Sequence, residues 1–132
     1  MIKVVCAIAI NDGKLLIGKR SENKKYGGFW ELIGGKVESG ESEEIALARE
    51  IKEELGVDSM VHSKFMSHIH RYKEMAVELI AFKVQLLSKP IESNSHSEII
   101  WADLDFILDK PLLEADVPII RELQNERINE SS

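Results

Sequence analysis

Residues 34–57, GGKVESGESEEIALAREIKEELGV, join a glycine pair to a glutamate-rich segment. Apolar residues recur with helical spacing in its second half, and this predicts a helix over residues 42–55 that ends at Gly56. At about 100° per residue, one set of apolar side chains falls on the side expected to face the core: Ile45, Ala48, Ile51 and Leu55. Acidic side chains fall on the opposite side: Glu43, Glu50, Glu53 and Glu54.

The acidic side of this helix concentrates like charge. Glu50, Glu53 and Glu54 lie at i, i+3 and i+4, where carboxylates repel one another. A solvated acidic face is the ordinary interpretation. The alternative is a site for a hard divalent cation, which selects oxygen ligands. Glycines 34 and 35, expected to form a turn, bring backbone close to the helix and leave room for a phosphate chain. These features predict a metal site for a phosphorylated substrate.

The remaining segments predict a chain of strands, a helix, more strands and a second helix. A hairpin through Asn11-Asp12-Gly13 is expected first, because these residues tolerate the positive φ angles of tight turns. The later segments are a loop at 21–28, strands at 29–33, 60–72, 76–87 and 99–101, a loop at 89–98, and a helix at 115–128. The strands at 60–72 and 76–87 are expected to pair antiparallel. This order indicates one α+β domain spanning residues 1–132.

Composition narrows the classes of partner. The chain is 44% hydrophobic and 30% charged, with a formal net charge of −6. That balance argues against a nucleic-acid polymer and against an anionic membrane surface. A small anionic substrate stays compatible with it, because a bound divalent cation reverses the local sign. No stretch is long enough to span a membrane. The lone cysteine, Cys6, is expected to be a buried small hydrophobe, which suits a reducing cytoplasm.

The glutamate segment also matches a known pattern. Gly35, Glu41 and the run REIKEELGV at 49–57 fill every defined position of G-x5-E-x7-R-E-U-x-E-E-x-G-U, where U is a bulky aliphatic residue. This resembles the Nudix box, and the order of strands and helices along most of the chain also resembles a Nudix domain. The resemblance implies an α/β/α sandwich with a mixed sheet between helices. It also implies magnesium-dependent hydrolysis of a nucleoside diphosphate linked to another group, with manganese as a substitute.

The resemblance assigns roles to individual residues. It implies that Glu50, Glu53 and Glu54 are metal ligands, with Glu53 and Glu54 also in the catalytic set. A backbone contribution to the metal from Gly34 is expected. Arg49 would orient the glutamates by ion pairing, and Glu41 would brace the loop.

The segments around the box resemble a particular branch of the family. Residues 7–20, 28–38 and 112–123 are most similar to small MutT-type members that cleave nucleoside triphosphates, first among them the CTP pyrophosphohydrolases and then the 8-oxo-dGTP hydrolases. The reaction that this implies is attack of water on a phosphorus atom, with release of nucleoside monophosphate and pyrophosphate.

Four residues outside the box are candidates for substrate contacts. Arg20 matches a basic position that contacts phosphate in these relatives; the alternative is a solvated residue at a strand end. Lys36 either faces the phosphates or is exposed. Asp116 stands where relatives read the base, and a carboxylate there would accept from the N4 amine of cytosine. Its competing role is the N-cap of the last helix. Glu31 is a further polar contact.

The general base is an open question in the sequence. Many relatives carry a catalytic glutamate on the loop before a tryptophan, and the corresponding position here is Ser95. Either a neighbour, Glu92 or Glu98, substitutes for it, or a glutamate of the box activates the water. Glu98 is preferred among the neighbours because it is closest to the strand.

The sequence also raises other interpretations. His62, His68, His70 and His96 fit no closed zinc motif and are expected to have ordinary roles. A dinucleotide or nucleotide-sugar hydrolase keeps the chemistry and changes the substrate. A catalytically silent nucleotide-binding module is the alternative from another class. The chain is expected to act as a monomer or a homodimer.

Overall fold

The structure is a computed structural model that describes residues 1–131. The strands are β1 (Ile2–Ile8), β2 (Ile10–Asn11), β3 (Lys14–Arg20), β4 (Trp30–Glu31), β5 (Gly34–Lys36), β6 (Ser59–Arg71), β7 (Ala76–Leu86) and β8 (His96–Asp103). The helices are α1 (Glu43–Leu55) and α2 (Val117–Ser131), with short 3₁₀ turns at Ile107–Asp109 and Glu114–Asp116.

The strands form two sheets. The first has the order β5-β1-β7-β6, in which β1 and β7 are parallel and the other pairs are antiparallel. In the second, β3 pairs antiparallel with β8 along its whole length and with β2 and β4 at its two ends. The antiparallel pairing predicted for the two long strands, now β6 and β7, is confirmed.

The predicted N-terminal hairpin is only partly correct. Asp12 and Gly13 have φ angles of 52° and 75°, and the turn that they form joins β2 to β3. However, β1 pairs with β5 and β7 in the other sheet. The apolar run therefore changes sheets near Ala9, a step that its uninterrupted hydrophobic pattern does not reveal.

Buried side chains form a core on each face of the first sheet. Val5 and Ala7 of β1 pack into the core beneath α1, whereas Cys6 and Ile8 belong to the core that includes Leu123 of α2. This alternation follows from the period of a strand, whose successive side chains point to opposite faces. The expected α/β/α sandwich with a mixed sheet is confirmed, and so is the burial of Cys6.

Helix α1 begins and ends where the sequence predicts, but it is rotated about its own axis relative to the predicted orientation. The Ser42 hydroxyl caps the helix by accepting from the backbone N–H of Ile45, and Gly56 ends it with φ of 70°. The buried residues are Ala46, Leu47, Ile51 and Leu55. Ile45 is 62% exposed, so its predicted place in the core is wrong. The inward side of the helix instead includes the partly buried Glu50 and Glu54.

The glycine pair forms a strand and not the expected turn. Gly34 and Gly35 belong to β5, which pairs with residues 4–6 of β1. A Cβ atom on Gly34 would lie 1.9 Å from the carbonyl oxygen of Val5, so a side chain cannot fit there. The close approach of backbone to the helix that the glycines were expected to allow is present at Gly35, where a Cβ atom would meet the Glu50 carboxylate of α1.

The C-terminal elements are longer than predicted. The strand expected at 99–101 extends over His96–Asp103, and the final helix runs to Ser131. Within residues 1–131, no helix is long and apolar enough to cross a membrane.

Candidate active site

A polar cavity of about 260 Å³ lies where β1, β4 and β5 meet the end of α1. Its charged lining residues are Arg20, Lys24, Glu31, Lys36, Glu54 and Asp116. A second groove, of about 520 Å³, is larger, but Lys89 is its one charged residue in the described part of the chain. Because the predicted chemistry needs carboxylates, the smaller cavity is the candidate site.

Glu54 is the most perturbed carboxylate of the acidic helix. Burial raises its pKa to about 8, and the nearby carboxylates of Glu50 and Glu31 act in the same direction. Contacts with the Ser95 side chain and the Gly34 backbone partly oppose this rise. Its Oε2 atom is buried and has no hydrogen-bond partner among the described residues. An unsatisfied buried oxygen costs free energy in the folded state, so Glu54 is a candidate to bind a ligand.

Arg49 connects the other acidic side chains. Its Nη2 and Nε atoms donate to the two carboxylate oxygens of Glu41 at 2.6 and 3.1 Å. Its Nη1 atom donates to Glu50 at 2.9 Å and to Glu53 at 3.2 Å. Nη2 also donates to the carbonyl oxygen of Lys36, which ties the helix to β5. One guanidinium therefore fixes three of the glutamates relative to the glycine strand.

The three predicted metal ligands differ in their surroundings. The side chains of Glu50 and Glu53 are 16% and 59% exposed, respectively, while Glu54 lines the cavity. Gly34 lines the same cavity. Across residues 1–131, no group of three or more His, Cys, Asp or Glu side chains is already arranged to hold a metal ion. The carboxylates share one helical turn, and Glu50 and Glu53 are drawn toward Arg49.

Arg20 and Glu31 are brought together. Arg20 Nη1 lies 3.2 Å from each Glu31 carboxylate oxygen, and Arg20 Nε donates to the carbonyl of Lys25. His96 contacts the same carboxylate, with Nε2 3.0 Å from Glu31 Oε2. Both Arg20 and Glu31 line the cavity, as a substrate contact requires. Their charges offset each other, so Arg20 is not a free cation here.

Asp116 is buried at the start of α2. Its Oδ2 atom accepts from the backbone N–H of Leu32 at 2.9 Å, so the carboxylate joins the last helix to the segment after β4. Burial raises its pKa to about 7; the Leu32 hydrogen bond opposes this, while Glu31 acts in the same direction. Asp116 immediately precedes α2, where an N-cap stands, but its hydrogen bond to Leu32 points across the cavity wall.

The remaining predicted residues separate into those at the cavity and those away from it. Lys36 and Ser95 line it. Glu98 lies on β8 opposite Lys19, is exposed, and is absent from the cavity wall. Glu92 is also exposed. The structure thus does not bring the preferred general base, Glu98, to the other candidates.

Sequence reasoning missed two residues of the site. Lys24 lines the cavity, and its Nζ atom lies 3.3 Å from the carbonyl oxygen of Ser95. His96 also lines it and is buried, although the histidines were expected to have ordinary roles. No local sequence signal identifies either residue, because the space for the His96 ring is left by Gly18 on β3, where a Cβ atom would lie 2.6 Å from the ring.

The sandwich fold and the carboxylate-lined cavity are those expected of a metal-dependent hydrolase, and comparison with known proteins agrees. The model of the NUDIX domain matches residues 1–123, and the chain belongs to this family of hydrolases. Members of the family generally use a divalent metal ion.

Several relatives cover nearly the whole chain. It is 36% identical over 120 residues to the CTP pyrophosphohydrolase of Escherichia coli K12, covering 91% of this chain and 89% of that one. It is 32% identical to a Mycobacterium tuberculosis protein with the provisional name 8-oxo-dGTP diphosphatase 2, covering 86% and 81%. The crystal structure of a MutT protein from Methanosarcina mazei Go1 superposes with a TM-score of 0.84 at 29% identity, covering 96% and 94%.

Proposed function

We propose that this chain hydrolyses a nucleoside triphosphate to nucleoside monophosphate and pyrophosphate, with magnesium as cofactor and manganese as a substitute. CTP or dCTP is the preferred class of substrate, and oxidised dGTP is the next. The observation that carries the proposal is the buried Glu54 carboxylate, which faces a polar cavity with one oxygen unpaired in the described chain.

The residues present fit a divalent cation. Glu50, Glu53 and Glu54 offer oxygen ligands from a single helical turn, the chemistry that magnesium selects. The unpaired Oε2 of Glu54 and the raised pKa of this residue both reflect a negative charge that the protein itself does not compensate. Gly34 lines the same cavity as Glu54, and its carbonyl oxygen is the backbone ligand that the family resemblance implies. Bound there, magnesium would neutralise phosphate oxygens and acidify a water molecule.

Arg49 and Glu41 would hold the ligand set in place. The two-pronged contact between them fixes the guanidinium, and the guanidinium fixes Glu50 and Glu53. Groups that hold metal ligands in this way affect metal affinity and rate although they do not touch the metal. This is the orienting role that the family resemblance implies for Arg49.

The phosphate chain would lie along the basic residues of the cavity wall. Lys36 belongs to β5, Lys24 contacts the carbonyl of Ser95, and both line the same cavity as Glu54. Arg20 reaches the same cavity while paired with Glu31. We assign to these cations the binding of the outer phosphates, which leaves the cytosine-like base for the deeper wall.

Asp116 and Glu31 would read the base. Both are carboxylates at the cavity, and an ionised carboxylate accepts hydrogen bonds from an exocyclic amine such as N4 of cytosine. The bond from Leu32 occupies one oxygen of Asp116 and leaves the other for the substrate.

We assign proton abstraction from the attacking water to Glu54, with Glu53 beside it on the helix. Glu98 and Glu92 are exposed and away from the cavity, which disfavours both. Burial raises the pKa of Glu54 in the metal-free protein, and its carboxylate lines the cavity in which the substrate would bind.

A nucleotide panel tests the function. CTP, dCTP, 8-oxo-dGTP, ATP, ADP-ribose, a dinucleoside polyphosphate and a nucleotide sugar would each be incubated with protein and magnesium. Pyrophosphate and orthophosphate would be quantified separately. We expect pyrophosphate from triphosphates, with the cytidine nucleotides fastest. Faster cleavage of the last three substrates would favour a dinucleotide or nucleotide-sugar hydrolase. Binding without turnover would identify a silent nucleotide-binding module.

The proposal also covers the assembly, partners and cellular location of the chain. We propose a single domain over residues 1–132 that acts as a monomer or homodimer on a small nucleotide, without a nucleic-acid polymer or a membrane as partner. The buried, unpaired Cys6 suits a reducing cytoplasm.

A further inference from the structure

His96 is a buried polar ring at the edge of the cavity. It begins β8, its side chain is 2% exposed, and it lies against Gly18 of the neighbouring strand β3. A Cβ atom on Gly18 would stand 2.6 Å from the ring, so this glycine leaves the space that the imidazole fills. A ring enclosed in this way needs a partner for each nitrogen, and it has both.

The contacts of Ser93 determine which ring nitrogen carries the hydrogen. The Ser93 hydroxyl oxygen accepts from the backbone N–H groups of Ser95 at 3.1 Å and His96 at 3.2 Å. These bonds use both lone pairs of the hydroxyl, and its one hydrogen is left for His96 Nδ1 at 2.9 Å. Nδ1 is therefore an acceptor. The hydrogen of the neutral ring is on Nε2, which donates to Glu31 Oε2.

Glu31 thus receives donors from two sides. His96 Nε2 donates to Oε2 at 3.0 Å, and Arg20 Nη1 lies 3.2 Å from both oxygens. A carboxylate with two such donors is held in one orientation as an acceptor. Without His96, Arg20 alone would hold it, and Arg20 sits on a partly exposed strand end.

We propose that His96 is a positioning residue for substrate binding: with Ser93 behind it, it fixes Glu31 as an acceptor that faces the nucleotide and keeps Arg20 at the cavity wall. This inference rests on the proposed function, because the nucleotide is the ligand that Glu31 and Arg20 would contact. Glu31 is assigned to the base and Arg20 to the outer phosphates, and neither is assigned to activation of the attacking water. Loss of His96 therefore weakens binding and changes KM more than kcat.

Two substitutions separate the proposed role from simple packing. The amide of Gln in His96→Gln reaches the place of Nε2 and can donate to Glu31. The shorter side chain in His96→Asn places its amide near Nδ1 and cannot reach Glu31. Both remove the ring and leave comparable space beside Gly18. His62, exposed on β6, supplies the matched control His62→Asn.

Steady-state kinetics with CTP give the main readout. We expect His96→Asn to raise KM about tenfold, the equivalent of one hydrogen bond to a charged group, with kcat within about twofold of wild type. His96→Gln should recover most of the lost affinity, and His62→Asn should match wild type. In a Glu31→Gln background, His96→Asn should add little, because the partner has already been altered. Equal KM values for the two His96 variants, or additive effects with Glu31→Gln, would overturn the proposal.

A measurement on the substrate-free protein keeps this test separate from the test of function. Nitrogen-15 NMR of the imidazole should identify His96 as the neutral tautomer with hydrogen on Nε2. The His96→Asn and Glu31→Gln changes should also be non-additive in the free energy of unfolding. An Nδ1–H tautomer, or additive unfolding energies, would overturn the positioning role even if CTP were hydrolysed. Failure of the nucleotide panel with the tautomer and coupling intact would refute the function alone.

Discussion

Gly35 and Glu50 are packed so closely that a Cβ atom on Gly35 would lie 2.4 Å from the Glu50 carboxyl carbon. The missing side chain creates the space in which that carboxylate sits between β5 and α1. Since Glu50 is also held by Arg49 at 2.9 Å, its position is fixed from both sides. Gly35 therefore affects the proposed metal site by leaving room for the Glu50 carboxylate, without contributing a functional group.

Gly35→Ala is expected to damage activity more than stability. The new methyl group meets the flexible end of a glutamate, which can swing away at small cost, but the displaced carboxylate no longer joins the ligand set. We expect kcat/KM to fall at least about tenfold, as for other small displacements in active sites, with a higher magnesium requirement and little change in Tm.

Gly40→Ala provides the opposite control. Gly40 has a φ angle of +85°, and a Cβ there meets nothing within 4 Å. The alanine should cost about 1 kcal/mol of stability through backbone strain while activity per folded molecule is retained. If both variants lost stability and activity in the same proportion, the proposed effect of Gly35 on Glu50 would be wrong.

Arg49→Lys should lower activity despite keeping the charge. A lysine ammonium cannot reproduce the fork that contacts both oxygens of Glu41 while also reaching Glu50 and Glu53. We expect a loss of about 10- to 100-fold in metal affinity or rate, measured by magnesium titration of CTP hydrolysis. Arg71→Lys, at the exposed end of β6, should be neutral. A magnesium dependence identical to wild type would remove Arg49 from the proposed site.

Asp116→Asn should change base preference. The amide oxygen can still accept from Leu32, so the wall of the cavity is preserved, but the negative acceptor for an exocyclic amine is lost. We expect the ratio of kcat/KM for CTP to that for other triphosphates to fall roughly tenfold, the scale of one base-edge contact. An unchanged ratio across the nucleotide panel would show that Asp116 is structural.

The same residue should make the stability of the metal-free protein depend on pH. Burial raises the pKa of the Asp116 carboxyl from 3.8 to about 7, so the folded state holds a proton that the unfolded state has released. Its stabilising effect is complete below pH 3.8 and is lost as pH rises through about 7. Glu54, with its pKa raised to about 8, acts with the same sign.

Urea unfolding between pH 5 and pH 8, without magnesium or nucleotide, measures this dependence. We expect Asp116→Asn to flatten the decline in the free energy of unfolding by an amount on the order of a few kcal/mol. A decline as steep in the variant as in wild type would mean that Asp116 is ionised in the folded protein throughout this range.

The ends of α1 could be predicted from sequence because they depend on local chemistry. Ser42 caps one end and Gly56 the other, and both act through backbone geometry within a few residues. The rotation of α1 about its own axis could not be inferred in the same way. The assignment placed apolar Ile45 inward and Glu50 outward, but partly buried Glu50 and Glu54 share the inward side with Leu47 and Ile51. When functional carboxylates face inward, the apolar side inferred from the sequence no longer coincides with the side that packs against the core.

Other features depend on contacts between residues far apart in the chain. The change of sheet near Ala9 is not visible locally, because β1 is apolar on both faces. The His96 ring fits at the site because Gly18, 78 positions earlier in the chain, leaves space for it. Gly18 lies on β3 and pairs with Ile99 of the adjacent strand β8. The box glutamates were identifiable because their spacing alone defines them. The cavity wall, with Lys24 and His96, requires the tertiary fold.

Magnesium-dependent release of pyrophosphate from CTP by wild type and Glu54→Gln shows whether the Glu54 carboxylate is needed for hydrolysis. Glutamine keeps the size of the side chain and removes the charge that would bind metal and accept the proton. We predict a loss of roughly 10²- to 10⁴-fold, the scale of a lost general base, with an unchanged circular dichroism spectrum and no loss of Tm. Hydrolysis by Glu54→Gln at the wild-type rate would mean that Glu54 neither binds the metal nor accepts the proton.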